Sequence, residues 1–305
     1  MVYNNHTKND EKPNFFFGVS FGGTTANQAK LLIDKVKGYT NFFIINSWEV
    51  VSNDNESVLN EISQYAVDSG MYFMVYFDFV SQIVYPWHQT WLDTAPEKFG
   101  DKFLGVYLYD EPGGKQVDTG HWKNNTYTES QLENVSTYSD ATELFLEDIA
   151  ALNSTKDVKR RNLQMFTSDY ALYWFDYLAG YDTIFVELGW NQSRNRQISL
   201  CRGAANVQDK DWGAIVTWTY YKYPYLVDGT AMLQDFITAY RAGAKYVTVL
   251  NYPYNYTYGI LQDDQFSAME TFWHMTSESE NGSLQKVDAK VAFVLPEDYG
   301  WGLRH

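Results

Sequence analysis

The sequence predicts a closed (β/α)8 TIM barrel of the α/β class, and three observations carry that reading. Short apolar, strand-forming runs alternate with helical stretches eight times along 305 residues, which is the pattern of a parallel sheet with helical crossovers. The length suits one such barrel, which takes roughly 250 residues plus insertions. Several of the runs also stop on polar or acidic residues, where barrel strands open onto a site at their C-terminal ends.

Taken in order, residues 14–20 form the first strand, followed by Gly22 and Gly23 and a helical stretch from Thr24 to about Lys37. Ala26, Ala29, Leu32, Ile33 and Val36 recur there at helical spacing. Gly22-Gly23 lacks the G-x-G-x-x-G spacing that an open dinucleotide-binding sheet places after its first strand. The second unit has its strand over 41–47, a turn at Asn53-Asp54-Asn55 and a helix over 57–68. The third strand, 71–78, leads into a loop with Pro86 and Trp87 and a short helix ending near Gly100.

The fourth strand, Phe103-Leu-Gly-Val-Tyr-Leu-Tyr, stops on Asp110 and Glu111, and Pro112 with Gly113 and Gly114 ends it in a turn. A long polar segment, 113–139, precedes a helix over 141–152; so long a loop in a compact domain is usually functional. The remaining strands fall at 162–168, 182–188, 212–219 and 244–251, with helical connections at 171–178, 193–205, 229–242 and 262–275. Residues 1–13 read as a flexible N-terminal segment and 14–280 as the barrel. Residues 281–305 read as the start of a further strand or domain, because 290–296 is a fresh strand-forming run close to the end of a chain that looks cut from a larger parent.

Composition excludes several classes. With 45% hydrophobic and 18% aromatic residues against 20% charged, the chain can bury a large core. A net charge of -15, with no compensating basic stripe, repels nucleic acid and anionic lipid. The basic run Lys156–Arg161 reads as a solvated helix end. Cys201 is the single cysteine, so neither an internal disulfide nor a cysteine-built metal site can form. The histidines, at 6, 88, 121, 274 and 305, sit away from strand ends and argue against zinc. Carboxylates at 78, 110, 111, 169 and 187 could hold Mg²⁺ or Ca²⁺ by oxygen ligation, but the reading adopted here takes no metal and no cofactor. No run of 18 apolar residues spans a membrane, and the first 14 residues are too polar for a signal peptide core. Asn-X-Ser/Thr sequons begin at Asn5, Asn55, Asn124, Asn134, Asn153, Asn191, Asn255 and Asn281. N-linked glycans are expected at Asn55, Asn124, Asn134, Asn153, Asn255 and Asn281, which points to the cell surface or the exterior.

Strand parity selects the site, because barrel strands alternate between lumen and helix layer. Leu104, Val106 and Leu108 form the aliphatic set of strand four, which leaves Gly105, Tyr107, Tyr109 and Glu111 inward and turns Asp110 toward the wall or rim. In strand six Ile184, Val186 and Leu188 face out, so Thr183, Phe185 and Glu187 face in. Strand three offers Tyr76 and Asp78, strand two Asn46 and Trp48, and strand one Ser20. Strand five is ambiguous, so Asp169 lies in the site or just above it, and Trp190, Trp218, Tyr220, Asn251 and Tyr252 fall near the mouth. Carboxylates ringed by Tyr, Trp, Asn and Ser suit glycoside hydrolysis, in which one carboxylic acid protonates the leaving oxygen and a second carboxylate attacks or activates water.

Asp110-Glu111-Pro112 at the end of strand four resembles the glycoside hydrolases of the large (β/α)8 clan, whose acid/base Glu closes strand four in an Asn-Glu-Pro motif. The segment from Arg202-Gly-Ala-Ala to Trp212-Gly-Ala also resembles poorly characterised glycosidase-like barrels. The resemblance implies that Glu111 is the acid/base. Two departures stand out: Asp110 replaces the Asn that contacts the sugar 2-hydroxyl, and the clan's strand-seven nucleophile has no counterpart between Trp212 and Tyr221. Parity offers Glu187 in its place. The sequence therefore predicts a glycosidase with Glu111 and Glu187 as its pair and a carbohydrate substrate. Asp110, Asp78, Asn46, Trp48, Tyr109, Asp169, Trp190, Trp218, Tyr220 and Asn251 would line the substrate. The alternative is a non-catalytic glycan-binding or surface-layer barrel, favoured by the vacant strand-seven position.

Overall fold

The computed structural model describes residues 12–52, 54–77, 85–117, 135–277 and 291–301. Its eight parallel strands are β1 (Phe16–Phe21), β2 (Phe42–Ile45), β3 (Tyr72–Tyr76), β4 (Phe103–Tyr107), β5 (Met165–Asp169), β6 (Thr183–Leu188), β7 (Asp211–Val216) and β8 (Tyr246–Val249). Each pairs with the next and β8 returns to β1, closing the (β/α)8 barrel that the sequence predicts. No helix among the described residues is long and apolar enough to cross a membrane.

The outer helices begin where capping residues permit. Thr25 and Gln28 form a capping box at Ala26–Val36, Thr137 and Asp140 another at Tyr138–Ala151, and Asp228 caps Gly229–Arg241 by accepting from Ala231 N at 2.9 Å. Thr137 is why that second helix starts three residues before its apolar face does. The helix expected to be short before Gly100 runs over Pro86–Phe99, fourteen residues, entered through a proline in its first turn. The basic run closes a separate helix, Asn153–Arg160. Within the long polar segment, Gly114–Val117 is a single helical turn, and residues 118–134 lie outside the described ones.

Two apolar layers follow from the strand alternation. Phe17, Val19, Phe43, Val75, Ile184, Val186 and their neighbours face the helices. Phe16, Phe42, Tyr72, Met74, Phe166, Phe185 and Tyr246 fill the lumen floor with interlocking rings, Phe16 and Tyr246 stacked at 4.8 Å. The parity expected of strand four fails at two points. The register with β3 shifts between Phe73 and Met74, and Gly105 takes φ +143, so the strand carries a bulge that turns Leu104, expected outward, into the lumen. Val106, Tyr107 and Leu108 keep their expected faces, and a second break follows at Tyr109, whose left-handed backbone at φ +53 turns it, expected inward, into the outer layer.

Val291–Pro296 forms no strand, contrary to the sequence expectation, and Phe293 and Val294 are exposed. A closed barrel has no free edge for it to extend. The segment ends instead with Trp301 packed on Phe175 at 5.3 Å and Phe145 at 6.0 Å, against the barrel's own helices.

The lumen floor closes only because Gly213 has no side chain: a Cβ there would lie 2.8 Å from Phe185 and 2.9 Å from Tyr246. Gly213→Val is expected to cost about 1–3 kcal/mol in urea denaturation. Gly203→Ala, on an exposed helix face with nothing within 4 Å, should instead stabilise by up to about 1 kcal/mol.

Candidate active site

The ends of β4, β5 and β6 meet at the C-terminal mouth. Glu187 projects from β6 into the lumen and is 6% exposed. Ser168 Oγ, from β5, donates to Glu187 Oε1 at 2.6 Å. The same hydroxyl lies 2.7 Å from Tyr107 Oη and 3.4 Å from Asp110 Oδ1, and Tyr107 donates to Asp110 Oδ1 at 3.0 Å. Tyr107 Oη also accepts from Ser168 N at 3.0 Å, so Asp110, Tyr107, Ser168 and Glu187 form one connected polar network. Asp110 was expected at the wall or rim. The left-handed turn of the backbone at Tyr109 shifts the parity beyond Leu108, and Asp110 faces the lumen network.

The turn that carries Glu111 is laid along β5. Thr167 Oγ1 donates to Tyr109 O, Glu111 N donates to Ser168 O at 3.0 Å, and Asp169 accepts from Gly113 N at 2.6 Å and Gly114 N at 2.9 Å. Tyr109 and Glu111 both adopt the left-handed region, at φ +53 and +54. Such conformations cost on the order of 1 kcal/mol or more in non-glycine residues and persist where the surroundings impose them. Lys115 Nζ donates to Asp110 O across the same turn.

This arrangement gathers negative charge in a desolvated space. Burial pushes the Glu187 carboxyl well above the usual carboxylate range, and the charges of Glu111, then Asp110, add to the shift, against the opposing hydrogen bond from Ser168. Glu187 is therefore the carboxyl at this mouth that burial disposes most strongly toward its protonated form. Asp169 is raised to about 7, by burial first and by Glu111 among other causes, in spite of its backbone donors. Burial and the Asp110 charge likewise keep the Tyr107 phenol protonated.

The other residues predicted for the site divide. Trp48, at the first turn of Trp48–Val51, and Tyr220 are exposed at the mouth, and Trp218 and Trp190 are half-buried there. Asn46 is half-buried beyond β2, its N–H donating to Phe21 O at 2.8 Å. Three residues stand apart from the acid network. Tyr109 is turned outward by its left-handed backbone, its hydroxyl against Ser154. Asn251 Oδ1 accepts from Ile260 N at 3.1 Å, so its buried side chain braces the loop after β8. Asp169 is fully buried, with Tyr170 N and Ala171 N also donating to it. Asp78 lies outside the described residues.

Sequence reasoning passed over a rim of aromatic residues on the loops after β7 and β8. Tyr223 stacks on Tyr254 at 5.7 Å, Tyr256 lies 5.4 Å from Tyr254, and Tyr221, 90% exposed, leans on Trp190 at 4.5 Å. The signal was present in the density of tyrosine at 220–225 and 252–258, two stretches whose one charged residue is Lys222. Among the described residues, no group of three or more His, Cys, Asp or Glu is arranged to hold a metal ion.

Fold and site together define a (β/α)8 barrel with an acid-lined C-terminal mouth. No protein-family model and no curated protein matches the sequence. Solved structures do match in fold. The endo-1,4-beta-mannanase from Rhizomucor miehei superposes with a TM-score of 0.55 at 12% identity, over 88% of this chain and 96% of that one. Alpha-L-fucosidase isoenzyme 2 from Paenibacillus thiaminolyticus superposes with a TM-score of 0.54 at 10% identity, over 86% of this chain. The chain spans about half the length of that fucosidase, 49%. At such identities the likeness is one of fold, which many chemistries share.

The raised Glu187 pKa has a thermodynamic consequence. A group whose pKa is higher in the folded chain contributes stability that is full below its unfolded value, about 4.3, and is lost as pH rises through the folded value. Glu187→Gln lacks that loss. Its melting temperature is expected to lie close to wild type near pH 4 and above it near pH 8; a variant less stable than wild type near pH 8 would mean that Glu187 is ionised in the fold.

Proposed function

We propose that this barrel is a glycoside hydrolase acting on an oligo- or polysaccharide through Glu111 and Glu187. One observation carries the reading. A buried glutamate, Glu187, shares the strand-end mouth with a second glutamate, Glu111, whose charge adds to the upward push that burial gives the Glu187 carboxyl. Environments that push two acids apart in proton affinity are how such enzymes assign an acid and a base.

Electrostatics alters the roles that the sequence suggests. A general acid must be protonated, and the raised carboxyl of Glu187 suits that role, which leaves Glu111 as the nucleophile or base. A proton held on Glu187 has a route toward the mouth through Ser168 Oγ, 2.6 Å away, and on to Asp110. The rim of Tyr221, Tyr223, Tyr254 and Tyr256, with Trp48 and Trp218, offers ring faces and hydroxyls to a neutral sugar chain. Location at the cell surface or exterior fits the sequons. Asn153 and Asn255 are exposed, Asn55 is half-buried with its amide donating to Glu49 O at 2.6 Å, and Asn124, Asn134 and Asn281 lie outside the described residues.

A second reading, a non-catalytic glycan-binding barrel, is favoured by the end of β7, where Thr217, Trp218 and Thr219 stand with no acid. A panel of oligo- and polysaccharides separates the two. Turnover is expected in wild type and should fall by about 10²–10⁴-fold in Glu111→Gln and in Glu187→Gln. The alkaline limb of the pH profile should belong to Glu187, because activity that needs its acid form is lost above its raised pKa. Glycan binding without turnover would establish the second reading, and full activity in Glu111→Gln would remove that residue from the chemistry.

A further inference from the structure

Beneath the turn that carries Glu111 lies a second acid pair with no part in the chemistry above. Asp169 closes β5, and Asp176 lies inside the helix Tyr173–Ala179; both are completely buried. Asp169 gathers four backbone N–H groups from two chain segments: Gly113 at 2.6 Å, Gly114 at 2.9 Å, Tyr170 at 2.7 Å and Ala171 at 3.0 Å. Asp176 stands behind it, against the same glycine: its Oδ1 faces Gly113, whose N–H donates to Asp169. Among the described residues, neither of its carboxyl oxygens receives a hydrogen bond. A buried carboxylate left in that state would cost several kcal/mol, on the order of an unpaired charge in the interior. Two adjacent acids out of water cannot both ionise, and a single proton, donated by Asp176 to Asp169, removes the conflict. The glycines fit this contact closely: a Cβ on Gly113 would lie 2.9 Å from Asp176 Oδ1, and one on Gly114 2.9 Å from Asp169 Oδ1.

We propose that Asp169 and Asp176 share one proton and act as a buried clamp on the Gly113–Gly114 turn, making Asp169 the positioning residue for Glu111. Thr167 and Ser168 hold the turn ahead of Glu111, and Asp169 is the side chain that holds Gly113 and Gly114 just beyond it, where Glu111 sits in a left-handed conformation that the local sequence does not favour. The titratable groups that face the pair are Glu111 and Glu187 from the mouth and Tyr173, Tyr177, Tyr181 and Cys201 from the surrounding wall. All are acids or neutral, so the pair is held together by its shared proton and by backbone dipoles.

Two variants of the full chain test the clamp, and the main readouts need no substrate. Asp169→Asn turns an amide NH₂ toward backbone donors, whereas Asp176→Asn still donates to Asp169. In Asp169→Asn, hydrogen exchange at the Gly113 and Gly114 amides should accelerate by about tenfold or more, with β6 amides unchanged. Carbodiimide labelling of Glu111, read by peptide mass spectrometry, should change by about threefold or more in the same variant. Asp176→Asn should match wild type in both readouts at neutral pH. Where a glycan is turned over, Asp169→Asn should lower kcat about tenfold or more with KM little changed, and Asp176→Asn should keep the wild-type kcat. Only that last arm rests on the glycosidase reading. Unchanged exchange and labelling in Asp169→Asn, or an Asp176→Asn variant that loses the clamp as Asp169→Asn does, would overturn the proposal. If Asp169→Asn does not fold, Asp176→Asn alone decides: wild-type protection supports the shared proton, and lost protection overturns it.

Discussion

The mouth of this barrel depends on one constraint, the burial of a glutamate among acids and hydroxyls. Glu187 is linked to Ser168, Tyr107 and Asp110 through a hydrogen-bond network and to Glu111 through its charge. Ionising it would add a charge to a desolvated, already negative space, which pushes its carboxyl toward the protonated form. The aromatic floor of Phe166, Phe185 and Tyr246 lies below, and the short polar network lies above. Polar groups so placed are satisfied only through one another, and a change at Ser168 or Tyr107 would be felt at both acids.

β5 is the template for this arrangement. Its consecutive residues Thr167, Ser168 and Asp169 each anchor the turn after β4, at Tyr109, at Glu111 and at Gly113 with Gly114. Because parity alternates, Ser168 also reaches across the lumen to Glu187 while Asp169 points back toward Asp176. One strand end thereby ties the β6 acid to the β4 acid and sets both against a buried partner. The left-handed backbone at Tyr109 and Glu111 is the visible cost of fitting the β4 turn to that template.

Much of this was legible in the sequence, for physical reasons that also explain the gaps. The strand and helix alternation, and the inward face of β6, follow from clean aliphatic periodicity at Ile184, Val186 and Leu188. Gly105 looked like an ordinary strand residue, and the bulge it permits depends on its register with β3, which no local pattern encodes. That irregularity turned Leu104 inward, and a second one, the left-handed backbone at Tyr109, sent Tyr109 to the outer wall and Asp110 to the lumen. In β5 the run Thr167-Ser168-Asp169 is polar on both faces, so parity could not separate the residue that touches the site from the one that holds its frame. Asn251 failed for a similar reason: a polar residue at a strand end can serve the loop above it as readily as a ligand.

The most direct test of the account is the protonation state of Glu187 itself. Infrared difference spectroscopy between wild type and Glu187→Gln near pH 7 should reveal the carbonyl stretch of a neutral carboxyl group, lost in the variant and titrating only above the usual carboxylate range. A spectrum in which the substitution removes only carboxylate bands at that pH would show that Glu187 is ionised in the folded chain. The paired-acid account of the mouth would then be wrong.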